Sequence, residues 1–215
     1  MKKFNMRPLN LRNFAIGVVL LLIFVVLELF LAHQNLLRTD TAITLFLQGS
    51  IPRIFDVPLS LFSLLGSFEA TGIILVIMGI AYWKKKKAIP YSFVLFGAIL
   101  ALELLGKFYV YHPGPPKSFF RYSLPFELPT AYVTTSYSFP SGHVSRTIYL
   151  SIIAFFLARI LIKSKNMRAT VMVLVALLFL LMFISRIYLG EHWFSDVVGG
   201  TFLGGALGIL TLVYY

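Results

Sequence analysis

The stretch Ser185-Arg186-Ile187-Tyr188-Leu189-Gly190-Glu191-His192-Trp193-Phe194-Ser195-Asp196 carries two serines, an arginine, a histidine and two carboxylates. Asp196 follows His192 by four residues. If a helix starts near Glu191, both side chains share one face. The carboxylate then accepts the Nδ1 proton of His192 and leaves Nε2 with a free lone pair. It also stabilises the charge gained when that nitrogen attacks. A helix-end ion pair is the plainer use of the same spacing.

A second set is Phe139-Pro140-Ser141-Gly142-His143, just before an apolar run. Proline and small residues there mark a helix start. Free N–H groups and the helix dipole make such a start attractive to anions. Ser141 adds a hydroxyl donor, and His143 stands where it can protonate a leaving oxygen. A plain helix cap with an interfacial histidine is the alternative. A third set is Glu103 and Lys107, four apart, spaced for a helical ion pair or for a lysine that holds a phosphate. Arg186 can grip a phosphate in bidentate fashion or anchor at an interface.

With Arg146 these residues supply two histidines, the Asp196 carboxylate, three cations (Lys107, Arg146 and Arg186) and an anion-binding helix start. Phosphoryl transfer needs a nucleophile, an acid for the leaving group and charge compensation on the equatorial oxygens. No carboxylate cluster suited to Mg²⁺ is visible, and the chain has no cysteine. Two titrating histidines predict a bell-shaped pH–rate profile.

The elements that hold these residues are apolar. The chain has 215 residues, 59% hydrophobic and 13% charged, with a mean hydropathy of +0.87. A soluble domain carries about 45–50% apolar and about 25% charged residues. Composition therefore excludes an ordinary soluble domain and a disordered chain. Hydropathy predicts spans at about 14–32, 68–83, 89–110, 147–162, 169–184 and 197–215. The first reads as a retained span rather than a cleaved signal. Residues 49–66 read as a short interfacial helix or packed loop, and 111–140 as an outer loop.

The net charge of +11 suggests nucleic acid in a soluble chain. Here the charges sort by side. Lys2, Lys3, Arg7 and Arg12 precede the first span, Lys84 to Lys87 follow the second, Arg159 lies at the inner end of the fourth, and Lys163, Lys165 and Arg168 lie between the fourth and fifth. With the N-terminus in the cytoplasm these 12 of 19 basic residues lie inside, with no acid among them. Asp40, Asp56, Glu69, Glu127, Glu191 and Asp196 lie outside. That asymmetry implies an even number of spans with both termini cytoplasmic; the plasma membrane is the expected compartment. The asymmetry accounts for the charge without nucleic acid. Gly200, Gly204 and Gly208 repeat at G-x-x-x-G spacing, which reads as packing inside the bundle in preference to a dimer seam.

These motifs resemble the phosphatidic acid phosphatase type 2 superfamily of membrane lipid phosphatases. Its pattern is Lys, six residues, Arg-Pro; then Pro-Ser-Gly-His; then Ser-Arg, five residues, His, three residues, Asp. The second part stands as Pro140 to His143, and the third as Ser185-Arg186, His192 and Asp196. The resemblance implies one membrane-integral phosphatase domain over 1–215, all-α, a six-helix bundle with its site at the extracytoplasmic ends. It implies His192 as a nucleophile forming a phosphohistidine, Asp196 orienting it, and His143 as general acid. Lys107, Ser141, Gly142 and Arg186 would bind phosphate, with no metal or other cofactor. The partner would be a lipid phosphate in the bilayer: phosphatidate, phosphatidylglycerol phosphate or a polyprenyl diphosphate.

The first part departs from that pattern. Gly114 stands where the arginine is expected, before Pro115, and His112 occupies an earlier position that is often a second arginine. Arg146, three residues past His143, is the preferred substitute, with His112, Lys117 and Arg121 as alternatives. A lipid phosphotransferase and a catalytically weakened lipid-binding relative are the other readings. A transporter is weaker, because the polar residues gather at one mouth instead of lining a path.

Overall fold

The computed structural model describes residues 10–33, 36–86, 91–122, 124–126, 128–129 and 135–214. Lys2, Lys3, Arg7, Lys87, Glu127 and Tyr215 lie outside these. Within them the chain forms α1 (Leu11–His33), α2 (Leu37–Ser50), α3 (Asp56–Ser63), α4 (Phe68–Lys86), α5 (Ser92–Tyr109), α6 (Gly142–Leu161), α7 (Lys165–Tyr188) and α8 (Phe194–Thr211). Five helices (α1, α5, α6, α7 and α8) are long and apolar enough to cross a membrane. A sixth span is counted if Arg53–Gly66 and α4, which meet at a 53° bend, act as one. The 24 residues of α7 rise about 36 Å, enough for a bilayer core of about 30 Å.

Several helices outrun their hydropathic windows. α6 begins at Gly142 instead of 147, α8 at Phe194 instead of 197, and α7 extends past 169–184 at both ends. Hydropathy sees only the apolar middle of a span. The extra turns hold His143, Arg146, Ser185, Arg186 and Asp196, whose polarity hides the helix from such a window. α2 escapes for the same reason. Its Asp40 and Thr44 are buried, and Thr44 Oγ1 donates to the Asp40 carbonyl at 2.9 Å.

α8 is the central helix and packs against α6, α1 and α5. Its glycines explain how. A Cβ on Gly200 would lie 2.5 Å from the Ser141 carbonyl oxygen, and one on Gly208 2.8 Å from Ile152 Cδ1. With Gly204 between them, one small-residue stripe lets α6 lie backbone-to-backbone on α8. α1 runs antiparallel on another face, where Gly17 meets Leu210 and Ala206, and the Asn10 N–H donates to the Val213 carbonyl at 3.4 Å. α7 is peripheral and turns Val173, Leu174, Leu177 and Leu181 outward, as a lipid-facing helix does.

The loops that shape the site are pinned. Phe139 is fully buried, stacks on Phe24 of α1 at 5.8 Å, and lies against Gly106 of α5 and Gly199 of α8. The Trp193 indole N–H donates to the Pro113 carbonyl at 2.8 Å, and Gln48 Nε2 donates to the Phe119 and Tyr188 carbonyls. Both long-range ties fix the chain around residues 113–121 over the mouths of α7 and α8.

Candidate active site

The end of α7 turns sharply into α8. Gly190 has φ +73°, and a Cβ there would lie 2.2 Å from the Phe119 carbonyl oxygen. Glycine is required twice over, by conformation and by space. After this turn the N–H groups of Glu191 and His192 both donate to the Arg186 carbonyl, at 3.2 and 3.1 Å. His192 is thereby folded back over the last turn of α7.

The sequence expectation places His192 and Asp196 on one helical face. Instead, α8 starts at Phe194, so His192 precedes the helix. The contact forms through the cap. Asp196 Oδ2 accepts the Trp193 N–H at 3.0 Å and faces His192 Nδ1 at 3.2 Å. A carboxylate can only accept, so Nδ1 carries the proton and Nε2 is left with its lone pair. Burial, then the Arg186 guanidinium and the Lys107 ammonium, push the His192 imidazole well below its usual pKa, against the smaller opposing effect of Glu191. The ring is neutral and suited to attack.

The start of α6 comes to the same place. The Ser141 N–H donates to the Asp196 carbonyl at 2.9 Å, which ties the two helix starts together. Ser141 occupies the cap position of α6, yet its side chain makes no capping bond. Its hydroxyl is buried without a protein partner, as is Nε of Arg186. His143 follows within the first turn. Gly66 packs against it, where a Cβ would meet His143 Cδ2 at 2.9 Å. Lys107, Arg146 and Arg186 lie within electrostatic reach of both the His143 and His192 rings.

Two expected partners differ. The spacing left Lys107 either paired with Glu103 or open to a phosphate, and among the described residues Glu103 makes its ion pair with Arg146 instead. Its Oε2 takes Arg146 Nη1 at 2.5 Å, and its Oε1 takes the Ser145 hydroxyl. Arg146 Nη2 also donates to the Gly66 carbonyl at 3.1 Å. The guanidinium expected to replace the missing first-motif arginine is therefore held by a buried carboxylate, while its Nε has no partner among the described residues. Arg186 is half-occupied in a similar way, since its Nη2 pairs with Glu191.

The other substitutes do not reach the site as cations. Lys117 is exposed on a short turn. Arg121 donates to the Gln48 carbonyl and lies over the Tyr188 ring at 5.2 Å. Gly114 is exposed beside Ser138. His112 is buried in the right loop but turns Nε2 toward acceptors: Ser195 Oγ at 3.0 Å, Asp196 Oδ1 at 3.4 Å and Asp40 Oδ2 at 3.9 Å. A ring nitrogen surrounded by carboxylates is poorly placed to meet another anion.

Asp40 is the residue that sequence reasoning missed. It is 1% exposed, and burial raises its pKa against the lowering effect of its Ser195 hydrogen bonds. Its separation of 155 residues from Ser195 leaves no local signal. Among the described residues no three His, Asp or Glu side chains converge as a metal-binding set.

Comparison with known proteins places the chain in a family. A family model described as the PAP2 superfamily matches residues 87–215. Phosphatidylglycerophosphatase B of Bacillus subtilis (strain 168) is 38% identical over 71 residues, which cover 33% of this chain and 35% of that protein. The match thus spans about a third of the relative. A transmembrane PAP2-type phosphatidylglycerolphosphate phosphatase from Bacillus subtilis superposes with a TM-score of 0.74 over 91% of this chain and 94% of that one, at 24% identity. LpxE of Aquifex aeolicus superposes with a TM-score of 0.54 over 81% and 94%, at 20% identity. Both show a shared fold. With the family match extending over more than half of its length, and with five helices among the described residues long and apolar enough to cross a membrane in a fold shared with a transmembrane phosphatase, the chain belongs to the PAP2 superfamily and is an integral membrane protein.

Proposed function

We propose that the protein is a metal-independent lipid phosphatase acting through a phosphohistidine on His192. The observation that carries this reading is the buried His192–Asp196 pair, set at the end of the bundle that also holds His143, Ser141 and Arg186. His192 Nε2 attacks phosphorus, and the bond to the leaving oxygen breaks as His143 gives that oxygen a proton. A water then attacks the phosphohistidine and yields its proton to His143. The P–N bond breaks and inorganic phosphate leaves. Arg186, Lys107, the Ser141 hydroxyl and the Gly142 N–H stabilise the equatorial oxygens. Asp196 holds the ring and balances its charge. Arg146 supports the site through Glu103 and Gly66, adding positive potential.

A lipid substrate is supported by the apolar cavity beside the site. About 160 Å³ in volume, it lies between α4, α6 and α7 and is lined by Met182, Leu65, Thr147 and Leu178. Thr147 is one turn below His143, and Met182 faces Gly66 with it. A phosphate at the mouth and an apolar chain in this groove match phosphatidate, phosphatidylglycerol phosphate or a polyprenyl diphosphate. Arg12, Lys84 to Lys86 and Lys163 to Arg168 occupy the opposite helix ends, which supports a cytoplasmic N-terminus and a site facing outward.

The test is phosphate release by purified protein from a panel of lipid phosphates in EDTA. His192→Ala should fold and be inactive, and full activity in that variant would remove the mechanism. Leu178→Trp should slow the lipid substrates while sparing p-nitrophenyl phosphate. Gly114 favours one second reading, a lipid binder without turnover. That protein would retain affinity and form no phosphohistidine. Transfer to a lipid or sugar hydroxyl instead of water would appear as a new phosphoester by mass spectrometry.

A further inference from the structure

We propose that His112 and Asp40 form a second imidazole–carboxylate pair behind the nucleophile, and act as positioning residues for His192 through Asp196. The inference rests on the reading of His192 as the attacking group.

Asp40 of α2 clamps the first turn of α8. Its Oδ1 accepts the Ser195 N–H at 2.9 Å, and its Oδ2 accepts the Ser195 hydroxyl at 2.8 Å. With its proton given to Asp40, Ser195 Oγ offers a lone pair to His112 Nε2 at 3.0 Å. The same nitrogen faces Asp196 Oδ1 and Asp40 Oδ2. Every one of these neighbours is an acceptor, so Nε2 carries the proton.

Asp196 explains why this matters. It is fully buried. Its Oδ2 holds the Trp193 N–H and the His192 ring, while its Oδ1 makes no hydrogen bond of ordinary geometry. The His112 N–H, at 3.4 Å, is a positive edge facing that oxygen, and the Ser138 hydroxyl, which bonds the His112 carbonyl, also lies near the Asp196 carboxylate. Two imidazoles therefore bracket one carboxylate, one on each oxygen. The inner ring balances its charge and fixes its rotation, and the outer ring is the nucleophile. His112 occupies a loop where the family pattern expects a phosphate-gripping cation, and in this chain that loop is turned to support the site from behind.

The experiment measures kcat and KM for dioctanoyl phosphatidate in detergent micelles with His112→Ala, His112→Gln and Asp40→Asn. Histidine side-chain 15N NMR of the same proteins reads the tautomer of His192 without needing turnover. We expect the alanine and asparagine variants to lose roughly 10- to 100-fold in kcat, as misplacement of a reacting group does, with KM within about twofold. Glutamine at 112, which keeps a donor near Asp196 Oδ1, should recover most of the loss. In the spectra, His192 should pass from one Nδ1–H tautomer to a mixture in the alanine and asparagine variants.

A raised KM at unchanged kcat would mean that His112 grips phosphate directly, and would overturn the proposal. So would an unchanged His192 spectrum in both variants. If the wild type releases no phosphate from any lipid, the phosphatase reading fails separately and the spectra still decide this one. Asp40→Asn preserves shape and carries both measurements if the alanine variant does not fold.

Discussion

A Cβ placed on Gly204 would lie 2.0 Å from the carbonyl oxygen of Ser145. α6 and α8 therefore touch backbone to backbone beneath the site, with Ser145 two residues past His143 and Gly204 eight past Asp196. A backbone oxygen cannot swing aside as a flexible side chain can. Gly204→Ala should destabilise the protein by about 1–3 kcal/mol and lower its melting temperature by on the order of 5 °C. Phosphate release should fall with it as the two helix starts separate. Gly205→Ala is the control on the same helix, because its Cβ meets only Leu20 Cδ1 at 3.9 Å. It should stay within about 0.5 kcal/mol of the wild type. Equal melting temperatures for the two variants would contradict the packing described.

His143→Ala should lower kcat by about 10²–10⁴ on a lipid phosphate, the usual effect of losing a general acid. An alkoxide leaving group needs a proton, and p-nitrophenolate does not. The defect should therefore shrink on p-nitrophenyl phosphate. The same loss on both substrates would show that His143 serves phosphate binding or structure.

The pH dependence follows from His192. Its pKa lies well below 6.5 because of burial, then Arg186 and Lys107. The neutral, attacking form thus survives below pH 6.5, and the acid limb of kcat/KM should lie below that value. The basic limb belongs to the residue that donates the proton. Stability follows with a definite sign. The unfolded chain takes up a proton at His192 near pH 6.5, before the folded one does. This group's contribution is fully present above pH 6.5 and is lost as pH falls toward the folded-state value. Thermal melts at pH 5 and 7 should show that loss, and His192→Gln should show less of it.

Glu191→Gln should strengthen substrate binding. Glu191 occupies Arg186 Nη2, one of the donors a phosphate would use, and its own side chain is one-third exposed at 32%. Removing its charge removes a competitor for the guanidinium. KM for a lipid phosphate should fall several-fold with kcat little changed. The acid limb should also move lower, since Glu191 acts to raise the His192 pKa. A rise in KM would assign Glu191 to orienting Arg186 instead.

Much of the bundle was legible because lipid imposes long apolar runs and sorts basic residues to one side. Hydropathy did not reach the ends of α6, α7 and α8, because Gly142 to Arg146, Ser185-Arg186 and Phe194 to Asp196 are polar turns of apolar helices, although Pro140-Ser141-Gly142 marked the start of α6. α2 was missed for a related reason. Arg38, Asp40 and Gln48 break its hydropathy, although Asp40 faces inward and Gln48 reaches the carbonyls of Phe119 and Tyr188. The partner of Glu103 was left open by the sequence. Spacing pointed to Lys107 on its own helix, but the facing turn of α6 brought Arg146 and Ser145 closer.

The sequence by itself determined the chemistry on offer: two histidines, a carboxylate four residues from one of them, a serine at a helix start, and membrane spans to hold them. Those are local facts of residue type and spacing. Only the tertiary structure decided which cations remain for a phosphate and which are held by carboxylates. Arg146 is pinned by Glu103, Arg186 shares with Glu191, and His112 faces Asp196 and Asp40. An ion pair depends on the distance between side chains from different helices. That distance is set by how closely glycines let α6 lie on α8 and by where buried loops fasten the helix ends.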